Sequence, residues 1–285
     1  MASVIAVAAW CLYVYVFVYE AVYPHSRNIR YSFTLQNKTN TLLENINFRA
    51  FAPVKQTSFQ LTEKITATLP FDLDVDDLGN QILTFKIKRL PPYALQVITI
   101  DSTLKLSKQP NVMKLEEKEK YLAEERYIEI SDKRLIARSN KLTVDKKLDT
   151  ARKILKWVGL NVKYSGYIKD DRGALYALKY REGDCTEYMY LYNALARVAG
   201  IPSRGIGGFV YNEDAVLRPK DYHNWSEIYL NGAWRVVDPQ NKKFMENESS
   251  FIAMRIIANG INDDGSLKNT HQISISNKNM SVKMN

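Results

Sequence analysis

The chain has little of what disulfide-rich or metal-dependent proteins rely on. Two cysteines in 285 residues exclude a disulfide scaffold. Three histidines exclude a His-rich metal cluster, and no cofactor motif is present. Neither charge sign dominates: 40 Lys and Arg against 31 Asp and Glu leave a net +9, with the cations spread along the chain. That is a modest cationic bias and not a nucleic-acid footprint, so no nucleic-acid partner is expected. No internal repeat of useful period is present. The remainder is ordinary: 46% hydrophobic and 25% charged residues exclude a wholly disordered or collagen-like chain. At roughly 100–200 residues per domain, the length predicts two folded units.

The N-terminus is apolar. Residues 2–19 (ASVIAVAAWCLYVYVFVY) carry no charge, and about 18–20 apolar residues suffice to cross a bilayer as a helix. Glu20 ends the run and Pro24 stops a helix there. Residues 1–23 are therefore expected to be a membrane anchor or an uncleaved signal. A cleavable signal peptide fits less well, because no basic segment precedes the run and no A-x-A site precedes Pro24. A buried helix of a soluble protein is the alternative. Arg27, Arg30 and Lys38 follow the run and no Lys or Arg precedes it, so the charge rule taken alone keeps the main body cytoplasmic.

Residues 28–107 read as a β-sandwich domain. Tyr31, Phe33 and Leu35 alternate with polar partners, as do Ile46, Phe48 and Ala50, then Leu83, Phe85 and Ile87, then Leu95 and Val97. Such period-2 patterns, broken by Asn, Asp, Gly and Pro, predict an antiparallel sandwich of roughly five to seven strands. The acidic run at 72–80 (DLDVDDLGN) suggests a calcium loop. It lacks the chemistry: Asp77 stands where Gly is needed and Leu83 where Glu is needed. A hairpin turn using Gly79 and Asn80 is predicted instead. Residues 108–142 read as a helical connector, on the strength of charged helix formers at 111–126. A further helical pattern covers 143–158, with Leu148, Ala151, Leu155 and Val158 at 3–4 spacing and Gly159 as its stop. The second domain spans 143–260. The polar residues 261–285 are expected to add a marginal strand or stay loose.

The chemistry concentrates between 183 and 239. Asp184 followed by Glu187 is a capping box, which makes Cys185 the first helical residue. Tyr188, Met189, Tyr192, Leu195, Ala196 and Ala199 form the apolar stripe, and Gly200 with Pro202 ends the helix. A thiol at a helix N-terminus feels the positive end of the macrodipole, which favours thiolate, while a nearby Asp184 charge opposes it. Taken alone, Cys185 reads first as a small buried thiol on a core helix. Downstream, YHNWSEIYLNGAWRVVDP reads as strand, turn, strand, with Asn231-Gly232 as a type I′ turn. That register pairs Tyr229 with Trp234 and Trp225 with Asp238, and His223 lies on the same face two residues earlier. His223 and Asp238 become diagonal neighbours, and a one-residue slip would separate them. An isolated pair of this kind reads first as a structural ion pair or a chance match. With Cys185 the three supply a nucleophile, a base and an orienting acid. His25 lies beside the apolar run, His271 in the polar tail and Cys11 in the run itself, so only Cys185 and His223 sit where they could meet.

The segments at 183–211 (GDCTEYMYLYNALARVAGIPSRGIGGFVY) and 223–239 (HNWSEIYLNGAWRVVDP) resemble the transglutaminase-like superfamily of cysteine proteases and acyltransferases. There a G-x-C opens a core helix, a G-I-P-[SA]-R run follows, and H-x-W and D-P lie on adjacent strands. The resemblance covers about 151–257, including the WVGLNVKY approach at 157–164. It implies an α+β fold: a papain-like core with its nucleophile helix packed on an antiparallel sheet, here preceded by the sandwich and the N-terminal helix. It carries the nucleophile onto Cys185, the general base onto His223 and the orienting carboxylate onto Asp238. It also implies acyl transfer through a thioester, with a protein or peptide amide as substrate and either water or an amine as acceptor. The Cys185 backbone N–H is one oxyanion donor. Tyr164 is the side-chain candidate, though packing is its first reading, and Trp225 with Trp234 is expected to wall the His–Asp pair. Family members are often anchored or exported with the catalytic domain outside the cytoplasm, which opposes the charge rule. The alternative to an enzyme is an idle fold serving as a membrane-anchored protein-binding module. Arg204 is expected to pair with a core acid, and Gly205, Gly207 and Gly208 to permit close strand packing.

Overall fold

The structure, a computed structural model, describes residues 21–167, 170–257 and 273–285. The apolar run at 2–19 lies outside the described residues, as do Cys11 and His271. Among those described, no helix is long and apolar enough to cross a membrane.

Alternation builds the first layers. Strand β1 (His25–Asn37) buries Ile29, Tyr31, Phe33 and Leu35 and pairs antiparallel with β6 (Leu95–Leu106), which pairs with β3 (Gln60–Ala67). The facing sheet joins β2 (Leu43–Ala52), β4 (Asp72–Val75) and β5 (Gln81–Leu90). Its inward residues Ile46, Phe48, Leu83 and Phe85 meet Phe33 and Ile98 in one core. Burying each such side chain contributes about 1.5–3 kcal/mol. On β6 the phase is the opposite of the expected one: Leu95 and Val97 are exposed, while Ile98, Ile100 and Leu104 face inward. The run LQVITI is apolar in both phases, and pairing with β1 selects the second.

The connector departs from its sequence reading, and the tail takes the strand alternative of its own. Helix in the connector is confined to α1 (Lys133–Leu142) and a single 3₁₀ turn at Lys118–Tyr121. The rest is an extended strap: the Met113 N–H donates to the Gly232 carbonyl at 2.8 Å, Tyr229 Oη donates to the Met113 carbonyl at 2.6 Å, and Tyr121 packs on Trp234. Helix propensities of at most about 0.7 kcal/mol per residue do not outweigh such tertiary contacts. The C-terminal residues form strands. Residues of β15 (Ile273–Ile275) pair with β2, and those of β16 (Met280–Met284) pair with β1, so the tail closes one edge of each sheet.

The second part begins with α2 (Lys147–Asn161), which runs through Gly159 and ends at Val162. Gly159 is there for close approach: a Cβ would stand 3.1 Å from the Pro239 carbonyl oxygen. Leu148 is exposed, and Ala151, Ile154, Leu155 and Val158 form the buried stripe. A short parallel ladder of β7 (Lys163–Tyr164) and β8 (Glu182–Gly183) brackets α3 (Gly173–Tyr180) and leads into α4 (Cys185–Val198). Behind α4 lies a sheet of β9 (Ser203–Val210), β11 (His223–Leu230), β12 (Ala233–Asp238), β13 (Lys243–Phe244) and β14 (Phe251–Ile257), ordered β13-β12-β11-β9-β14. The two-residue β10 (Ala215–Val216) leaves this part and pairs parallel with β1. Arg204 pairs in the core with Glu227 at 2.8 Å, and Trp234 covers that guanidinium rather than the His–Asp pair.

The two parts meet along the outer edge of β14. An edge strand leaves backbone groups unpaired, and here buried side-chain amides serve as surrogate partners. Gln60 Nε2 donates to the Ala253 carbonyl at 3.0 Å, and its Oε1 accepts from the Ala253 N–H at 3.0 Å. Asn80 does the same for Ile256. Asn80 is in turn held by Asp76, whose carboxylate accepts from the Leu78 and Asn80 N–H groups, so the acidic run is a hairpin that aims an amide at β14. Replacing Gln60 by Ala orphans the buried Ala253 N–H, while the Ala253 carbonyl keeps the Val54 N–H at 2.9 Å. The expected loss is about 1–3 kcal/mol of unfolding free energy, measurable by urea denaturation. A loss below 1 kcal/mol, on the order of a surface substitution, contradicts this account.

Candidate active site

The start of α4 is held by its cap. The Asp184 carboxylate accepts from the Thr186 N–H at 2.8 Å and from the Glu187 N–H, and the Glu187 carboxylate accepts from the Asp184 N–H at 3.1 Å. The Cys185 N–H has no partner among the described residues. It is an unsatisfied donor at the positive end of a helix, beside a sulfur. Glu187 is fully buried, and its second oxygen accepts from the Arg172 N–H at 3.0 Å. Burial pushes its pKa up to about 7, against the pull of those two amide donors; the Asp184 and Asp171 charges add to the rise.

The partner groups come from the hairpin. Asn231 and Gly232 adopt φ of 52° and 82°, as a type I′ turn requires. Leu230 then faces Ala233, Tyr229 faces Trp234 and Ser226 faces Val237. His223 begins β11 and Asp238 ends β12, and His223 Nε2 lies 2.9 Å from Asp238 Oδ2. A carboxylate only accepts, so Nε2 is the donor and Nδ1 is the nitrogen left for another partner. Cys185 is near enough to act on this ring: its side chain is one of the groups that raise the His223 pKa. Burial alone would lower the His223 pKa. The Asp238 hydrogen bond and the Cys185 side chain outweigh it, their charges add to the effect, and the ring is held up at about 9. Burial would raise the Asp238 carboxyl, but the His223 hydrogen bond and charge, with Asn241, bring it below its ordinary value.

Four residues at this site escaped the sequence reading. Asn241 donates from its backbone to Asp238 Oδ1 at 3.1 Å and from its amide to Oδ2 at 2.8 Å, fixing both oxygens. The available signal was an Asn three residues after an Asp that closes a strand, an Asx-type turn. The Asn224 amide donates to Thr186 Oγ1 at 2.9 Å, which ties β11 to the first turn of α4. Tyr222 packs edge-on to Phe209, and a Cβ at Gly207 would stand 1.9 Å from its hydroxyl, so only glycine leaves room. Burial holds the Tyr222 phenol above its ordinary value; Arg255 pulls the other way, and the charges of Cys185 and Asp171 add to the rise. Tyr222 is therefore a protonated hydroxyl in the field of the sulfur.

Of the two supporting residues expected, Trp225 is fully buried, with its ring 6.3 Å from that of His223. Tyr164 is half exposed and therefore not a packing residue. It pairs with Gly183 across the short ladder, one turn of chain before Cys185, and its hydroxyl has no partner among the described residues.

Residues 136–239 match the family model of the Transglutaminase-like superfamily. No curated protein matches the chain. Among solved structures, a candidate cysteine protease from Cytophaga hutchinsonii is 16% identical, with a TM-score of 0.59 over 92% of each chain. The periplasmic domain of TgpA from Pseudomonas aeruginosa is 15% identical, with a TM-score of 0.39 over 70% of this chain and 90% of that one. A candidate protease from Parabacteroides distasonis is 9% identical, with a TM-score of 0.33 over 76% of this chain and 44% of that one. The first likeness spans the sandwich and the second part together, and shows that the two chains share a fold.

The His223 environment has a measurable sign. Its folded pKa lies above the ordinary 6.5, at about 9. The pairing therefore stabilises the fold fully below pH 6.5 and is lost as pH rises through 9, an effect on the order of 3 kcal/mol. NMR titration of the ring should place its midpoint near 9 in the wild-type chain and lower in both Asp238→Asn and Cys185→Ser. An unchanged midpoint in Cys185→Ser means that sulfur and ring do not interact.

Proposed function

We propose that this chain, which carries a domain of the transglutaminase-like superfamily, is a cysteine-dependent acyl-transfer enzyme acting on protein or peptide amides. One observation carries the reading: His223 Nε2 is held 2.9 Å from Asp238 Oδ2, and the Cys185 side chain, at the start of α4, is near enough to raise the pKa of the same ring. In this mechanism Nδ1 of His223 takes the thiol proton, and Asp238 steadies the imidazolium through Nε2. The sulfur attacks the amide carbonyl, either a peptide bond or a glutamine carboxamide. The tetrahedral oxyanion forms beside the unpaired Cys185 N–H. The imidazolium then returns its proton to the leaving amine, and a thioester remains on Cys185. Water attacking that thioester gives hydrolysis, and an amine gives transamidation; His223 takes the proton of either.

Two hydroxyls are the candidates for a side-chain oxyanion donor. Tyr164 lies on the approach strand next to Gly183, and Tyr222 lies in the field of the sulfur. Loss of a true oxyanion donor costs about 10²- to 10³-fold in kcat. Tyr164→Phe and Tyr222→Phe, assayed on the same substrate, therefore identify which of them donates: the donor is the one whose loss lowers kcat by that factor with KM unchanged.

Anchoring by residues 2–19, with the catalytic domain outside the cytoplasm, belongs to the same proposal. Its support is the uncharged run in the sequence.

Incubation of the chain with a peptide mixture, with and without a primary amine, distinguishes the outcomes by mass. Cleavage, deamidation and amine incorporation give different shifts. Cys185→Ala is expected to abolish them all, and His223→Ala to reduce turnover by about 10²- to 10⁴-fold. If no peptide is altered, and iodoacetamide modifies Cys185 equally fast in wild type and His223→Ala, the chain is an idle fold that binds protein rather than an enzyme.

A further inference from the structure

A second site lies away from the thiol, between α1 and α3. Helix α1 presents Arg134, Arg138 and Lys141 along one face, at the spacing that aligns side chains on a helix. Lys179 near the end of α3 and Arg181 at its cap face them across a pocket of about 330 Å³ floored by Leu175 and Leu178. Arg134 is paired with Asp132 at 2.9 Å. Arg138, Lys141, Lys179 and Arg181 have no acidic partner among the described residues.

The arrangement is costly as it stands. The guanidinium carbons of Arg138 and Arg181 lie 4.6 and 4.5 Å from the centre of the same Trp157 ring, which holds two like charges together. Burial and the Arg138 charge both pull the Arg181 pKa below its ordinary value. Nη1 of Arg181 is buried without a hydrogen-bond partner, and an unmade bond is costliest for a charged group. The C-terminal carbonyls of α1 and α3 offset only about half a charge each. Four cations therefore exceed their local compensation by roughly three charges. Cation–π contact with Trp157 explains why the guanidiniums stack. It leaves Nη1 of Arg181 without a hydrogen-bond partner.

We propose that this pocket binds a phosphorylated ligand carrying more than one negative charge. Paired guanidiniums match phosphoryl oxygens in a planar, bidentate manner that carboxylates share but with less charge. The leucine floor receives the apolar or organic part of the ligand. Arg181 stands in the left-handed region at φ 60°, and its carbonyl accepts from the Lys163 N–H at 2.8 Å. It is followed directly by β8 and then by Cys185, so the ligand would fix the peptide that leads into the nucleophile helix. The site stands apart from the catalytic reading, and neither readout below uses turnover.

The full chain is titrated with inorganic pyrophosphate and, separately, with water-soluble short-chain phosphatidic acid, by calorimetry and by thermal melting. Saturable binding with a raised Tm is expected. Arg138→Gln and Lys141→Gln should each weaken it by about tenfold. Lys156→Gln, which removes the same charge from the exposed face of α2, should leave it unchanged. Tighter binding of the lipid than of pyrophosphate assigns the phosphoryl group to a headgroup, and the reverse order assigns it to a soluble ligand; both support the site. Absence of saturable binding with either probe overturns it. So does equal weakening by Lys156→Gln, which would mark general charge screening.

Discussion

The register set by a two-residue turn is the constraint on which the site depends. Side chains on a strand alternate strictly, so pairing fixes not only which residues are neighbours but which face they share. Asn231 and Gly232 can both take positive φ at low cost, and the I′ turn they form allows one register between β11 and β12. That register carries His223 and Asp238, fifteen residues apart, to the same face and within 2.9 Å. A slip by one residue would also turn Trp225 out of the core and leave a fully buried position to a polar side chain. The core and the site therefore select the same register. The Asn224 bond to Thr186 then extends this fixed geometry to the first turn of α4, where the sulfur sits.

The sandwich contributes to the same geometry from the other side. Strand β9 lies between β11 and β14, so any movement of β14 reaches the strand that faces His223. The outer edge of β14 is finished by Gln60 and Asn80 from the sandwich. Phe209 and Ile252, on β9 and β14, sit in the sandwich core with Tyr31 and Phe33. Tyr222, which precedes His223, packs against Phe209. The first part of the chain is therefore a wall of the second, not a spacer in front of it. The C-terminal strands close the sandwich from the far end of the sequence, and β10 reaches it from the middle.

What could be read from the residues was what local chemistry decides. The capping box at Asp184 and Glu187 and the turn at Asn231-Gly232 require only neighbouring residues, and each is found where its sequence signal lies. The alternating faces of β1, β2 and β5 were legible because only one phase was apolar. In β6 both phases were, and the partner strand decided. The connector was misread for a related reason: charged helix formers at 111–126 describe a preference, but the strap is held by Gly232, Tyr229 and Arg197, all far away in sequence. The strands at 273–284 had no visible partner until β1 and β2 were seen to lack one. Asn241 was missed because its role exists only once Asp238 and His223 have met.

On the proposed mechanism, the charges around Cys185 explain why His223 is so firmly held. A helix N-terminus favours negative charge by about 0.3–1 kcal/mol in exposed settings, and up to about 2 when partly buried. At Cys185 that benefit is opposed by Asp184, which caps the same helix, and by Glu187 and Asp171 nearby. Glu187, raised to about 7, carries only part of its charge at neutral pH, which lessens the opposition without removing it. In the proposed mechanism the helix end is therefore a weak support for a thiolate, the imidazolium is the stronger one, and a buried imidazolium needs a carboxylate of its own. Asp238 meets that need, and Asn241 fixes both of its oxygens so that the ring cannot turn away. The acids at the cap set the fold of the helix, and the pair on the hairpin offsets their charge at the sulfur.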